Sequence, residues 1–181
     1  MTIYNPSYAD GYEFCHPVDR RDFKTVTALI NGVPRAKTWT PVEMQILRTE
    51  LGKRLKPSDC PWYGRNALVF RERVVAALGP MLLAHGDLLP LSCKEADLVV
   101  FNPTSVLPAI DEDASNVVRW EGGSVREIKR YVFRQEVIAG HDIFKLATLR
   151  FSPVFVTEHF VDAWRSAGLE GVLFREARRL P

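Results

Sequence analysis

A chain of 181 residues can bury a proper core, as one large domain or two small ones. Its 46% hydrophobic and 25% charged residues match a folded soluble protein, and a net charge of +2 is too small for a nucleic-acid footprint. No apolar run is long enough to span a bilayer, and the first residues lack the basic-then-apolar pattern of a secretory signal. Cys15, Cys60 and Cys93 are odd in number and widely spaced, which argues against a disulfide framework and for a reducing, cytoplasmic location.

Residues 1–22 are rich in Tyr, Asp, Pro and Arg and weakly periodic, with one candidate strand over residues 8–14. Residues 23–30 (FKTVTALI) read as a strand, because Phe23, Thr25, Thr27 and Leu29 share one parity and β-branched residues are frequent. Asn31-Gly32 then reads as a two-residue hairpin turn, and Val33-Pro34 as an edge or irregular return. Residues 38–65 form a long connection with one element inside it, where residues 42–51 suit either a strand or a short helix. Residues 56–64 (KPSDCPWYG) are a turn-rich loop, stiffened by Pro57 and Pro61 and carrying Trp62 and Tyr63. Rigid aromatics on such a loop serve either as binding anchors or as plugs at the edge of the core.

Asn66 can cap a helix whose stripe is Phe70, Val74, Ala77 and Leu78, with Arg71, Glu72 and Arg73 off it. Gly79-Pro80 ends or kinks that helix, and one further turn closes at Gly86 as a left-handed cap. Residues 88–91 and 96–101 read as strands, the second apolar enough to lie centrally in a sheet. Asp111-Glu112-Asp113 is an acidic cluster on a solvated loop. Residues 117–120 and 125–133 flank Glu121-Gly122-Gly123-Ser124 as a hairpin. Residues 137–140 and 143–146 are short apolar pieces around a turn, and residues 154–156 form a strand. Thr157 caps a helix buried through Phe160, Trp164 and Ala167, a stripe that Val161 widens, and Gly168 and Leu169 close it as a Schellman ending. Residues 172–174 make a last strand, before a solvated basic tail of Arg175, Arg178 and Arg179. This order specifies an α+β fold: a single domain over residues 1–181, with residues 1–65 as a smaller N-terminal subregion. It is built on a largely antiparallel sheet with two main helices packed on it.

Cys15-His16 is the one adjacent thiol–imidazole pair, and His141-Asp142 is half of a conceivable dyad. These pairs are what a hydrolase or transferase of unrecognised type would use. His85 stands where a cation suits a helix C-terminus, and His159 where the dipole disfavours one. The histidines and cysteines show no metal-ligand spacing, and no phosphate loop, nucleophile elbow or dinucleotide fingerprint is present. No catalytic, cofactor-binding or metal-binding residue is therefore assigned. The basic run Arg126, Lys129, Arg130 and Arg134 mixes strand faces around Glu127, as a solvated sheet face does.

Several short motifs occur in order: Ser58-Asp59-Cys60-Pro61-Trp62, Ala67-Leu68-Val69-Phe70-Arg71-Glu72-Arg73, Gly86-Asp87-Leu88-Leu89-Pro90-Leu91, Arg130-Tyr131-Val132-Phe133-Arg134, Asp142-Ile143-Phe144-Lys145 and Phe155-Val156-Thr157, with Phe160 and Gly168-Leu169-Glu170-Gly171. Together they resemble a family of bacterial polymorphic-toxin immunity proteins, small cytoplasmic proteins encoded beside toxin genes. The family's loop pattern carries an aromatic where this chain has Cys60. The resemblance implies a protein that binds a cognate toxin domain and neutralises it non-covalently, by blocking its active site or substrate access, without catalysis or cofactor. The expected partner is thus a protein rather than nucleic acid or a membrane, and homo-oligomerisation stays open. A binding face needs rigid anchors and steering charges, and Trp62 and Tyr63 with Asp111, Glu112 and Asp113 are the expected set.

Overall fold

The computed structural model describes residues 1–149 and 151–177; Arg178 and Arg179 of the basic tail lie outside them. In chain order, β1 (Ile3–Tyr8) and β2 (Phe14–Pro17) precede α1 (Asp22–Leu29). Next come β3 (Glu43–Leu47), β4 (Thr49–Glu50), β5 (Lys53–Arg54) and β6 (Leu68–Arg71), which runs into α2 (Glu72–His85). The strands β7 (Gly86–Cys93), β8 (Leu98–Pro103), β9 (Val106–Leu107), β10 (Asn116–Arg119) and β11 (Val125–Arg130) lead to α3 (Gln135–Ile138). Then follow β12 (Ile143–Leu146), β13 (Phe155–Thr157), α4 (Glu158–Ser166) and β14 (Val172–Glu176). One five-stranded sheet has the order β14-β1-β13-β12-β9 and the other β2-β3-β7-β8-β6, while β4–β5 and β10–β11 are separate ribbons. Pairing is antiparallel except for β9 with β12 and β3 with β7.

The expected mixture of helices with mainly antiparallel strands is present, but a single sheet carrying two helices is not what the chain builds. The described residues form two five-stranded sheets and four helices, and alternation along the strands explains why. Leu68 and Phe70 of β6 pack in one core with Val74, Leu78 and Leu82 of α2 and with Phe160, Val161 and Trp164 of α4. Val69, one residue along, packs instead with Val26 and Ile30 at α1. In the other sheet Ile143 and Val156 join the α2–α4 core, whereas Phe144 and Phe155 meet Ile128, Tyr131 and Ile138 in a third. Each sheet is thus covered on both faces, and both contribute to the core around α2 and α4.

Residues 23–30, expected as a strand, lie mostly in α1. Only Val26 and Ile30, four apart, are sealed from solvent, so burial follows a helical period and overrides β propensity. With no strand before it, Asn31-Gly32 turns the chain out of α1 and joins no hairpin. The open choice over residues 42–51 resolves as strand, β3. Asn66 does not cap a helical start: residues 68–71 form β6, and Asn66 instead donates to the Phe151 carbonyl at 3.3 Å. A strand buried on both faces shows the same unbroken apolar run as a buried helix. The helix after it runs through Gly79 and Pro80 to His85. A proline inside a helix costs about 3 kcal/mol, which burial of Val74, Leu78 and Leu82 at about 1.5–3 kcal/mol each outweighs. Gly86 is extended rather than left-handed and opens β7; a Cβ there would lie 2.3 Å from the Asn102 carbonyl oxygen of β8. The C-terminal end of α4 matches expectation: Gly168 has φ +62, its N–H bonds the Arg165 carbonyl at 2.9 Å and the Leu169 N–H the Trp164 carbonyl at 3.3 Å.

Candidate functional site

The aromatic loop is anchored from below by charge. Glu13, 2% exposed, pairs with Arg71 at the start of α2, lies 3.9 Å from Arg48 and accepts the Ser58 N–H at 3.1 Å. Asp59 accepts from Arg73 at 3.0 Å and from the Glu170 N–H at 2.7 Å, beyond α4. A Cβ at Gly171, where φ is +97, would lie 1.8 Å from the Ser58 hydroxyl, so only glycine lets these segments meet. Three of the motifs that carry the family resemblance therefore come together in one junction.

The consequence for the expected anchors is direct. Tyr63 is 4% exposed, its ring stacked on Phe23 at 4.6 Å and its hydroxyl donating to the Phe23 carbonyl at 2.8 Å; burial pushes the phenol up to about 12. Trp62 is partly buried against the α2–α4 core. In the free protein Tyr63 is therefore covered and Trp62 covered in part.

The acidic trio lies elsewhere, beside the β10–β11 ribbon. The Asp111 N–H bonds the Val132 carbonyl at 2.9 Å and its carboxylate accepts the Ala114 N–H at 3.0 Å, which fixes the loop; Glu112 and Asp113 are exposed. Glu112 pairs with Arg119, whose guanidinium also donates to the Gly123 carbonyl at 2.7 Å. That places the trio alongside the turn of the ribbon, which the Trp120 N–H closes onto the Ser124 carbonyl at 2.9 Å. Trp120, next to this turn, is 58% exposed, with the Arg126 guanidinium 5.4 Å from the centre of its ring. The expected set did not include Trp120, although a tryptophan abutting a Glu-Gly-Gly-Ser turn was a usable signal.

Neither candidate catalytic pair converges. Cys15 is sealed in β2, and burial holds its thiol far above the usual range; His16, its neighbour on the opposite face of the strand, packs edge-on against Phe23 at 5.9 Å. Asp142 does not orient His141. One carboxylate oxygen accepts the Thr157 hydroxyl at 2.6 Å and the other the His159 ring at 2.9 Å, which ties down the start of α4. Thr157 therefore spends its hydroxyl on Asp142 rather than capping the helix itself. Burial raises the Asp142 carboxyl, but these hydrogen bonds and the His159 charge outweigh it and hold the group below the ordinary range. His141 reaches the Ser105 hydroxyl at 3.3 Å, and His85, buried at the end of α2, accepts the Asp142 N–H at 3.2 Å. Burial lowers the His85 pKa. Among the described residues no three His, Cys, Asp or Glu side chains are grouped to hold a metal ion, and no helix is long and apolar enough to cross a membrane.

Fold and surface describe a mixed, sheet-rich scaffold that displays an aromatic-tipped ribbon and an acidic loop. Residues 94–179 match the model of an immunity protein family, Imm11, which bears out the resemblance carried by the short motifs and points to a non-enzymatic role. The matched stretch takes in the acidic loop, the ribbon and α4. No curated protein is significantly similar to the chain.

Proposed function

We propose that the protein is a cytoplasmic immunity protein of a bacterial polymorphic-toxin system, which binds one cognate toxin domain and neutralises it non-covalently by covering its active site or substrate access. The observation that carries this reading is the immunity-family match over residues 94–179. The chain acts as a single unit, with residues 1–65 fastened to the rest through Glu13 and Asp59. Its toxin-facing surface is the acidic loop, Asp111, Glu112 and Asp113, which steers the encounter, together with Trp120 as the exposed anchor. Trp62 and Tyr63 belong to other cores of the scaffold and not to that surface. Neither nucleic acid nor a membrane enters this reading.

Co-expression with the toxin encoded beside this protein should restore growth, and the purified pair should co-elute. A toxin that stays active and elutes separately overturns the reading. Light scattering of the protein alone establishes whether it also self-associates.

A further inference from the structure

Lys145 is the most unusual charge in the molecule. It lies in β12, paired in register with Val106 of β9 and with its N–H on the Ser105 carbonyl at 2.9 Å, and is only 4% exposed. Its ammonium donates to the Ile30 carbonyl at the C-terminal end of α1. No carboxylate among the described residues reaches it: burial is the one influence on its pKa, which falls to about 8. Lysine is almost never this buried without an acidic partner, because an unpaired interior charge costs several kcal/mol (on the order of 3–5 when a pair is broken). The helix end supplies only about half a negative charge. Two of the three ammonium protons remain for other acceptors.

Lys145 and its acceptor Ile30 both line a cavity of about 200 Å³, whose walls include Thr27, Asn31, Asn66 and Ser152. Two half-exposed apolar side chains, Val106 (38%) and Phe151 (53%), stand at its rim. A cationic floor, polar walls and an apolar rim that excludes water are the makings of a hot-spot pocket. We propose that this cavity is a binding site for a single carboxylate group, held by the Lys145 ammonium. The ligand's charge follows from the surroundings: one ammonium beside the negative end of a helix balances a monoanion and not a dianion such as phosphate. The carboxylate comes either from an Asp or Glu side chain of the toxin, an arm that rests on the proposed function, or from a small free acid.

The test uses the whole protein, with acetate and propanoate as probes against chloride at constant ionic strength. On the free-acid arm, carboxylate raises the melting temperature by about 2–4 °C at saturation and shifts the Lys145 side-chain NMR signals. Lys145→Met and Lys145→Gln abolish both responses, whatever they do to the resting stability. On the toxin arm, the small acids do nothing, but Lys145→Met weakens binding of the neighbouring toxin at least tenfold while Lys145→Arg retains part of it. Indifference of both the melting temperature and toxin binding to Lys145 overturns the site. If the toxin does not bind the wild-type protein at all, the immunity reading falls and the acid titration alone decides the cavity.

Discussion

Glu13 and Lys145 are both charged side chains sealed inside this protein, 2% and 4% exposed, and the fold treats them in opposite ways. Glu13 has a guanidinium in direct contact, a second at 3.9 Å and a backbone N–H at 3.1 Å, so its charge and its lone pairs are satisfied from within the chain. Lys145 has one backbone carbonyl and, among the described residues, no acid. A buried charge that is fully partnered is structure: Glu13 pins the residue 56–64 loop to Arg71, where β6 passes into α2. A buried charge left without its opposite is where something from outside fits.

The largest effects should come from the partnered side. Glu13→Ala leaves the Arg71 guanidinium with the Ser58 carbonyl but no carboxylate, and should cost about 3–5 kcal/mol in urea denaturation. Tyr63→Ala removes a stacked, sealed ring and should cost a similar 3–5 kcal/mol, whereas Tyr63→Phe loses the bond to the Phe23 carbonyl and a longer one with the Thr27 hydroxyl and costs about 1–2 kcal/mol. If Tyr63→Ala instead left the midpoint unchanged and weakened toxin binding, the ring would be an anchor after all, and the loop would move to the functional side of the comparison.

Lys145→Met should behave in the opposite manner. The folded pKa of about 8 lies below the ordinary 10.5, so between these values the unfolded chain holds the proton more tightly. The stability that Lys145 contributes is therefore fully present above pH 10.5 and lost as pH falls through about 8, a swing of roughly 3 kcal/mol. At neutral pH Lys145→Met should be more stable than wild type by about 1–2 kcal/mol, the lost bond to Ile30 offsetting part of the gain. Because the swing is larger than this difference, the order should reverse as pH rises, with wild type the more stable by about 1–2 kcal/mol above pH 10.5. Equal pH slopes in the two proteins would mean that the ammonium is not stranded, and the comparison would collapse.

Asp142 sits between these extremes. Its carboxylate is part-exposed and hydrogen-bonded to Thr157 and His159, so Asp142→Ala should cost about 1–2 kcal/mol at neutral pH. Its folded pKa is depressed, so this contribution is present above the ordinary carboxylate range and disappears as pH falls through the folded value. Acid-unfolding curves of the two proteins should converge at low pH; curves that stay parallel would show that the carboxylate's charge is not what ties down α4.

How much of this was legible in the sequence depended on whether the signal was local. The closing of α4 by Gly168 and Leu169, and the ribbon around Glu121-Gly122-Gly123-Ser124, are dictated by neighbours within a few residues; both formed, though β11 ends at Arg130 and not at residue 133. The change from strand to helix at Arg71 was hidden, because β6 is covered on both faces and its apolar run has no period. Residues 23–30 misled for the converse reason: two sealed positions are too few to outvote β-branched composition. The site was the least legible part. A lysine in Ile143-Phe144-Lys145-Leu146 reads the same whether its amine reaches water or the end of a helix 115 residues earlier in the chain. Trp62 and Tyr63 read equally as anchors or as plugs because nothing local reveals that Phe23 and the α2–α4 core cover them.

Trp120→Ala should have the smallest effect on stability, and it separates scaffold from surface most cleanly. The ring is more than half exposed, in a ribbon whose backbone hydrogen bonds do not depend on it, and its one close partner is the Arg126 guanidinium, worth about 0.5–1 kcal/mol at such a site. The melting midpoint should therefore move by no more than the equivalent of about 0.5–1 kcal/mol. Truncation of an exposed aromatic anchor characteristically costs 2 kcal/mol or more of binding, about thirtyfold in Kd for the toxin, and most of that should appear in the dissociation rate. Charge reversal at Glu112 and Asp113 should instead slow association and lessen its salt dependence, because exposed charges steer the encounter more than they hold the complex. If Trp120→Ala leaves toxin dissociation unchanged while Lys145→Met accelerates it, the toxin is held by the cavity at Lys145, and the ribbon is only a neighbour of the interface.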